Sequence, residues 1–463
     1  MVFIPRFYLF SYTKKLMKLN RYYSSRNVLK LHERGFYSDL FPYKTADEVL
    51  DLLNSADQTV YAGFDPTADS LHIGNLLVLI NLLHWQRSGH QVIALIGGAT
   101  AQIGDPSGKL SERDKMKAHL VEENTEKIEN CIKNIFDNHL EYFCDKGETH
   151  KNIQELQIVN NTDWYCNMSA LNFINNIGRN FRLGPMLGKQ SIRTRMSTDE
   201  GLSFSEFSYQ IFQAYDWLHL FQNYNCRFQV GGSDQLGNIV SGYDLIQKFH
   251  KVPVYGLTIP LITTEEGDKF GKTAGNAIWL SKEKTSAFQL YQFLIRIKDS
   301  DVQKLLMLFT FETMPKILEI MNEHWKTPHK RIAQKVLAEN IVKLVHGPAG
   351  LQQAENVTAA LYENNLEHLK KLEPLDLQSV FEGATFTELL LEPGTTILEA
   401  AVKAGCFKTK SDAVRIISAG GFYINHQKVN NGQEVISMPS HILPNNVSLM
   451  RVGKKNYTIV KWS

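Results

Sequence analysis

Up to about residue 283, apolar positions fall in short dense runs separated by glycine- and proline-containing turns. Gln58-Thr59-Val60-Tyr61 is β-prone, and Leu76 to Trp85 is long and apolar enough for a buried helix. His90 to Gly97 reads as a buried parallel strand, and Leu156 to Asn160, Cys226 to Val230 and Val254 to Leu261 as further strands. Thr45-Ala46-Asp47-Glu48 has capping-box spacing and predicts a helix to about Ser55. Ser111 to Asn138 predicts a long exposed helix whose alternating charges make a solvated face. Met186 to Gly201, polar and rich in cations (Lys189, Arg193, Arg195), predicts a loop. Ser205 to Asp216 is helical in period and sets Tyr209, Gln213 and Asp216 on one face. Strand, helix, strand with glycine-rich turns at strand ends is the pattern of a doubly wound parallel α/β sheet. Ligands of such sheets bind beyond the carboxyl ends of the strands, so Thr100 and Asp105 are expected to face the same crevice as His72.

The rhythm then changes. Phe288 to Ile297, Val302 to Phe309, Pro315 to Trp325 and His329 to Val345 are all helical in period and predict an all-α domain at 284–365. Residues 366–392 lack periodicity and read as a linker. From 393 to 463 the pattern resets: helices at Thr396 to Ala404 and Ser411 to Ser418, then a strand at Gly421 to Asn425. Lys403, Lys408, Lys410, Arg415 and Lys428 make this last piece locally basic.

Composition changes the picture at the N-terminus. Residues 1–32 hold no acidic residue but carry Arg6, Lys14, Lys15, Lys18, Arg21, Arg26 and Lys30 among hydrophobics. That is the composition of a mitochondrial presequence, so import into the mitochondrial matrix is expected and the folded α/β part is placed at 33–283. Arg21-Tyr22-Tyr23-Ser24-Ser25 resembles the arginine-based site cut by matrix peptidases, at Tyr23–Ser24. A basic arm that helps to bind RNA is the alternative. At 463 residues the chain exceeds one ordinary domain. No apolar run reaches membrane-spanning length, so no membrane insertion is expected. A net charge of +2 means that any nucleic-acid surface is local. Five scattered cysteines with no Cys-x-x-Cys pair argue against a zinc site and a disulfide framework, and fit a reducing compartment.

Candidate chemistry concentrates between Tyr61 and Asn75. Gly63, Pro66 and Gly74 let the backbone turn sharply, and a helix opening after His72 offers unpaired amides and a dipole that favour an anion. Thr67 and His72 add side-chain donors. Lys269-Phe270-Gly271-Lys272-Thr273 suits a mobile phosphate clamp. By themselves these residues give a phosphate ligand and no more.

The string Gly63-Phe-Asp-Pro-Thr-Ala-Asp-Ser-Leu-His-Ile-Gly-Asn75 resembles the HIGH signature of class I aminoacyl-tRNA synthetases, in its tyrosyl version. Three further motifs follow in the order of the bacterial and mitochondrial tyrosyl-tRNA synthetases. They are Gly97-Gly-Ala-Thr100 with Asp105-Pro-Ser-Gly108, Gly231-Gly-Ser-Asp-Gln235, and a KMSKS-like loop at 269–273. The end of the chain resembles the S4-type RNA-binding module. The resemblance implies a Rossmann-like α/β catalytic domain, an all-α anticodon-binding domain and a small S4-like α+β RNA-binding domain. It also implies a two-step reaction. The tyrosine carboxylate attacks the α-phosphate of ATP, and the tRNA terminal hydroxyl then takes the tyrosyl group from the adenylate. A carboxylate already ionised needs no general base, so catalysis rests on positioning and on donors aimed at the phosphates.

By resemblance Thr67, His72, Lys109, Arg113, Lys269 and Lys272 are the catalytic set, holding the phosphates and the leaving pyrophosphate. Gly63, Asp65, Gly74, Asn75, Gly232 and Asp234 complete the ATP site, with Asp234 accepting from the ribose. Tyr61 and Asp216 would bind the substrate phenol, Asp105, Tyr209 and Gln213 its ammonium, while Gln229 and Gln235 line the pocket. Some positions depart from the pattern: Asn75 stands where the signature has His, Phe270 and Gly271 where the generic loop has Met and Ser, and Ala62 makes no ribose contact. The implied partners are tRNA(Tyr), L-tyrosine and ATP as a substrate, with Mg2+ implied through ATP, no resident cofactor, and a homodimer. Tryptophanyl-tRNA synthetase shares fold and loops and is the alternative enzyme; Tyr61, Asp216 and the S4-like tail weigh against it. A non-catalytic RNA-binding protein is the other alternative, opposed by intact His72, Asp105, Lys269 and Lys272.

Overall fold

The computed structural model describes residues 26–108, 111–112, 115–144, 153–263, 270–273, 276–362, 385–453 and 456–463; at 272, 273, 276, 360–362, 385 and 386 it describes the backbone alone. The chain forms two compact units, Met1–Ser281 with Lys298–Ala333, and Lys282–Ile297 with Gln334–Ser463.

The first unit is built on strands β1 (Asp39–Phe41), β2 (Thr59–Phe64), β3 (Gln91–Ile96), β4 (Gln157–Asn160), β5 (Cys226–Gly232) and β6 (Tyr255–Ile259), in the order β1-β6-β5-β2-β3-β4. All pairings are parallel except β1 with β6, so the expected doubly wound sheet carries an antiparallel edge strand that the sequence reading did not anticipate. β3 is buried from Val92 to Ile96, which is why it reads as an unbroken apolar run: helices cover both faces of a parallel sheet. The main helices are α1 (Ala46–Ser55), α2 (Ile73–Arg87), α3 (Ala118–Tyr142), α4 (Phe204–Tyr224) and α5 (Leu236–His250). Tyr61, Ile93 and Leu95 of the sheet pack with Trp217 and Leu218 of α4 and Ile239, Leu245 and Ile246 of α5 in one core. The chain runs β2, β3, β4 toward one edge and returns to β5 on the other side of β2. The topological switch point therefore lies between β2 and β5, where a crevice opens at the carboxyl ends.

Three local expectations are corrected here. α1 begins as predicted, but no capping box forms, because Thr45 Oγ1 donates instead to the Pro42 carbonyl at 2.6 Å. α3 starts at Ala118 rather than Ser111, and it is not simply a solvated helix: Val121, Ile128, Ile132, Ile135 and Phe136 form a buried stripe between the charges. The stretch 186–201 is largely helical, at Leu183–Leu187 and Gln190–Met196. Its arginines misled because Arg195 is 1% exposed, in an ion pair with Glu206 of α4 at 2.8 Å.

The described residues begin inside the stretch 1–32. Residues 1–25 lie outside the described residues, but a 3₁₀ helix spans Val28–Arg34, capped by Asn27, with Val28 and Leu31 buried. Its last residue, Arg34, sends Nε to the Met307 carbonyl (2.6 Å) and Nη1 to that of Glu312 (2.9 Å). Nη2 reaches the carbonyls of Leu306 and Thr310, so one buried guanidinium satisfies the end of helix Asp299–Phe309. Burial lowers its pKa to about 10, still well above neutrality. Arg34→Ala orphans these carbonyls and is expected to cost about 3 kcal/mol. Urea unfolding measures this; a loss below about 1 kcal/mol would mean that water replaces the guanidinium.

In the second unit helix Ala287–Ile295 opens on a capping box of Ser286 and Gln289, and a long helical segment, Ile332–Tyr362, breaks at Gly347 ahead of Pro348. The terminal sheet has the order β11-β10-β12-β13-β9, with β9 (Thr385–Leu389), β10 (Phe422–Ile424), β11 (Gln427–Lys428), β12 (Val447–Val452) and β13 (Asn456–Trp462). Helices Ile397–Lys403, with its Thr396/Glu399 capping box, and Lys410–Ser418 pack against it around Leu398, Ala413, Ile417, Phe422, Met450 and Trp462. Two boundaries differ from the reading of the sequence. β9, parallel to β13, lies within the expected linker 366–392, and the all-α stretch 284–365 is divided between the units, with Asp299–Phe309 and Met314–Lys326 in the first. A five-residue strand at a sheet edge is too short to show a period of its own.

Candidate active site

The crevice between β2 and β5 gathers residues from five chain segments. β2 delivers Tyr61, 1% exposed, and ends at Phe64, so Asp65 projects at its rim. Asp65 accepts from Thr100 Oγ1 at 2.7 Å and from the Tyr209 hydroxyl at 2.8 Å. Only glycine fits at position 97, where a Cβ would come 1.9 Å from Asp65 Oδ1. Asn161, just past β4, donates to Thr100 Oγ1 (3.0 Å) and to Asp216 Oδ2 (3.1 Å), while Trp164 Nε1 donates to Asp216 Oδ1 (2.9 Å). A carboxylate 2% exposed is thereby held from both oxygens, and burial raises its pKa to about 7. Burial and then the Asp216 charge push the Tyr61 phenol well above 10. The Tyr209 hydroxyl rises likewise, through burial followed by the charges of Asp65, Asp105 and Asp216.

Three polar atoms in this crevice are buried without a hydrogen-bond partner: the Tyr61 hydroxyl, Gln213 Oε1 and Gln229 Oε1. Orphaned buried groups are costly in a folded chain, and a polar ligand would satisfy them. Beside them Gln235 Nε2 donates to Asp105 Oδ2 at 2.7 Å, and the Ser107 amide to Oδ1 at 2.9 Å. Asn238 Nδ2 donates to Gln235 Oε1 at 3.1 Å. Gly232 makes room for Asp234: a Cβ there would meet its Oδ1 at 2.4 Å.

The phosphate-like end of the crevice is built on the start of α2. His72 is its N-cap: the Asn75 amide donates to Nδ1 at 3.3 Å, and the His72 amide donates to Asn75 Oδ1 at 3.0 Å. An accepting Nδ1 leaves the proton of the neutral ring on Nε2, so the imidazole presents a donor at the helix mouth. Asn75 thus acts through the ring, a role the sequence reading did not give it. A Cβ at Gly74 would lie 2.9 Å from the His72 ring, whereas Gly63 faces open space. Thr67, half-buried, sends its amide to the Asp65 carbonyl at 2.8 Å.

The lysine loop meets the same helix. Ile73, first residue of α2, donates its amide to the Ile278 carbonyl (2.9 Å), and the Ile278 amide donates to Gly271 (2.8 Å). Strands β7 (Lys272–Thr273) and β8 (Asn276–Ala277) form a hairpin next to Gly271, where φ is +85° and a Cβ would stand 2.2 Å from Ile73 Cγ2. Lys109, Arg113 and Lys269 lie outside the described residues, as does the side chain of Lys272. Gly271→Ala is therefore expected to lift the hairpin off α2 and slow adenylate formation about 10-fold or more, with tyrosine affinity within twofold. Single-turnover kinetics checks it; an unchanged rate would detach the hairpin from the chemistry.

Among the described candidates Tyr209 meets Asp65, Gln235 meets Asp105 and Asn75 meets His72. Asp65, read as an ATP residue, is bound to Thr100 and Tyr209 on the tyrosine-like side. Asn161, Trp164 and Asn238 were not assigned, although Asn160-Asn161 stands at the carboxyl end of a strand, where site residues were expected.

Residues 53–363 match the family model of class I tRNA synthetases (W and Y). The mitochondrial tyrosine–tRNA ligase of Drosophila melanogaster is 52% identical over 444 residues, covering 96% of each chain. The chain belongs to the tyrosyl-tRNA synthetase family. The mitochondrial tyrosine–tRNA ligase of Homo sapiens is 44% identical over 434 residues, 93% of this chain and 90% of that one. A C-terminally truncated mitochondrial tyrosyl-tRNA synthetase of Aspergillus nidulans superposes with a TM-score of 0.64 at 34% identity, covering 72% of this chain and 94% of that one. Among the described residues of this synthetase no three His, Cys, Asp or Glu are placed to hold a metal ion. Nor is any described helix long and apolar enough to cross a membrane.

Proposed function

We propose that this synthetase joins ATP and tyrosine to tyrosyl-adenylate and pyrophosphate, then transfers the tyrosyl group to the 3′ end of tRNA(Tyr), in the mitochondrial matrix. The observation that carries the reading is the set of orphaned atoms, Tyr61 Oη, Gln213 Oε1 and Gln229 Oε1, around the buried Asp216. A phenol needs one donor and one acceptor there; Tyr61 supplies the first and Asp216 the second. Asp105, Tyr209 and Gln213 take the ammonium, which sets the carboxylate toward the α-phosphate. The amides of α2 and the Nε2–H of His72 stabilise charge as it builds on the phosphates, joined by Thr67, Lys109, Arg113, Lys269 and Lys272. Asp234 accepts from the ribose, with Gly63, Gly74 and Gly232 leaving room for the nucleoside. Mg2+ would arrive with the ATP phosphates, since the described carboxylates offer it no cage of their own.

Several features support the finer parts. Lys408, Lys410, Arg415 and Lys428 are exposed in the terminal unit, which suits an S4-like RNA-binding role for 393–463, with the helices of 284–365 reading the anticodon. Large hydrophobics are exposed in the consecutive short helices ahead of α4 and at its start: Leu171 (84%), Leu183 (66%), Met196 (54%) and Phe204 (77%). Such a series favours a homodimer. Residues 1–25, as a presequence, and the mitochondrial names of the relatives favour import.

Charging of tRNA(Tyr) with tyrosine and ATP tests the reading, and absence of charging would overturn it. Because β9 belongs to the terminal sheet, the informative truncation starts at Thr385. Removing 385–463 is expected to leave pyrophosphate exchange largely intact and to depress charging; unchanged charging would take the tail out of the RNA-binding account.

A further inference from the structure

The direction in which Asp216 can accept depends on Trp164. The indole Nε1–H fixes Oδ1 at 2.9 Å, Asn161 fixes Oδ2 at 3.1 Å and the Tyr165 hydroxyl also interacts with the carboxylate, so the lone pairs left for a further donor are defined. An indole has one hydrogen-bonding atom, so the orientation of its plane is set by what packs on its faces. His219 is stacked on it, ring centroids 4.2 Å apart and planes 19° from parallel. The contact with the neighbouring Tyr165 is looser, at 6.3 Å and 50°. Asp216 and His219 stand three positions apart on α4, so the same helix face presents the carboxylate and the ring that steadies its donor. Partial burial lowers the His219 pKa, so the neutral imidazole is the form that stacks at neutral pH.

We propose that His219 is a positioning residue for tyrosine recognition: its ring clamps the Trp164 indole, which aims the N–H at Asp216 Oδ1 and so fixes where the substrate phenol is accepted. His219 itself touches no reacting atom. The sequence offered no signal for this, since a histidine one turn beyond Asp216 on a helix reads as an ordinary half-exposed residue. The proposal rests on the reading that Asp216 takes the phenol.

Steady-state exchange kinetics on the full chain tests it. His219→Ala is expected to raise KM for tyrosine about 3- to 10-fold, the range of one aromatic pair, with kcat and KM for ATP within twofold. His219→Phe keeps a flat ring and is expected to return KM to within about twofold of the parent. Trp164→Phe keeps the stack and loses the N–H; on that background His219→Ala is expected to add less than about twofold, because the two act through one bond. An unchanged KM in His219→Ala, an equal loss in kcat, failure of the Phe variant to restore KM, or full additivity with Trp164→Phe would each overturn the proposal. If Asp216→Asn and Trp164→Phe also leave tyrosine KM unchanged, the reading of Asp216 itself fails; if they raise it while His219→Ala does not, only the role of His219 does.

Discussion

Asp216→Ala is expected to lower kcat/KM for tyrosine about 400-fold, the middle of the roughly 2–5 kcal/mol range for removing one member of a buried charged hydrogen-bonded pair. The change leaves Trp164 Nε1 without its acceptor, takes from Asn161 Nδ2 one of its two, and leaves the substrate phenol without its own. Asp216→Asn keeps the shape and removes the charge, and it separates recognition from folding: it should still raise KM for tyrosine strongly, with KM for ATP little changed. The pH profile gives the sign. The Asp216 carboxyl sits at about 7 instead of its ordinary 3.8, and the phenol donates to the ionised form. Tyrosine affinity is therefore expected to climb as pH rises through about 7 and to level off above it. Folding stability runs the other way for this group. Between the ordinary carboxylate range and about 7 the folded chain holds a proton that the unfolded chain has lost, so this contribution is present at low pH and declines to a plateau above about 7. Tyrosine titrations from acid to alkaline pH on the parent and on Asp216→Asn read the first effect, and urea unfolding over the same range reads the second. A flat parent profile, or a variant that follows the parent, would remove Asp216 from phenol recognition.

His72→Ala is expected to slow adenylate formation about 10²- to 10³-fold, the effect of losing one donor aimed at developing charge, with tyrosine binding within about twofold. The substitution also removes the cap of α2, whose Asn75 amide loses its acceptor. His72→Asn restores a good cap without the imidazole. If the donor is what matters, the melting temperature recovers in the Asn variant and the rate recovers far less. Equal losses in tyrosine affinity and rate, or full recovery of rate with the cap, would make His72 a structural residue.

The strand-end motifs told most about the site because their physics is local. Gly74 and Gly97-Gly98 mark close approaches that no side chain permits, and the sheet topology then carries those turns to one rim. What the sequence hid was contact at long range. Asn161 and Trp164 were ordinary residues until the fold put them against Asp216, fifty positions and more along the chain. Arg195 read as part of a polar loop but forms a buried ion pair, and Arg34, outside every motif, closes a helix end. α3 misled for a related reason: its charges are dense enough to mask a stripe of Val121, Ile128, Ile132 and Ile135. The edge strands β1 and β9 take their conformation from the neighbours they pair with, and three or five residues carry too little pattern to announce that.

The central claim is that separate strand-end loops form one crevice that seats a phenolic amino acid next to a nucleoside triphosphate. Amino-acid-dependent ATP–pyrophosphate exchange, on protein beginning at Ser24, measures both halves of that crevice at once. Exchange with tyrosine, and little with phenylalanine or tryptophan, is the predicted result; exchange with tryptophan in place of tyrosine, or with phenylalanine as readily as tyrosine, would contradict it.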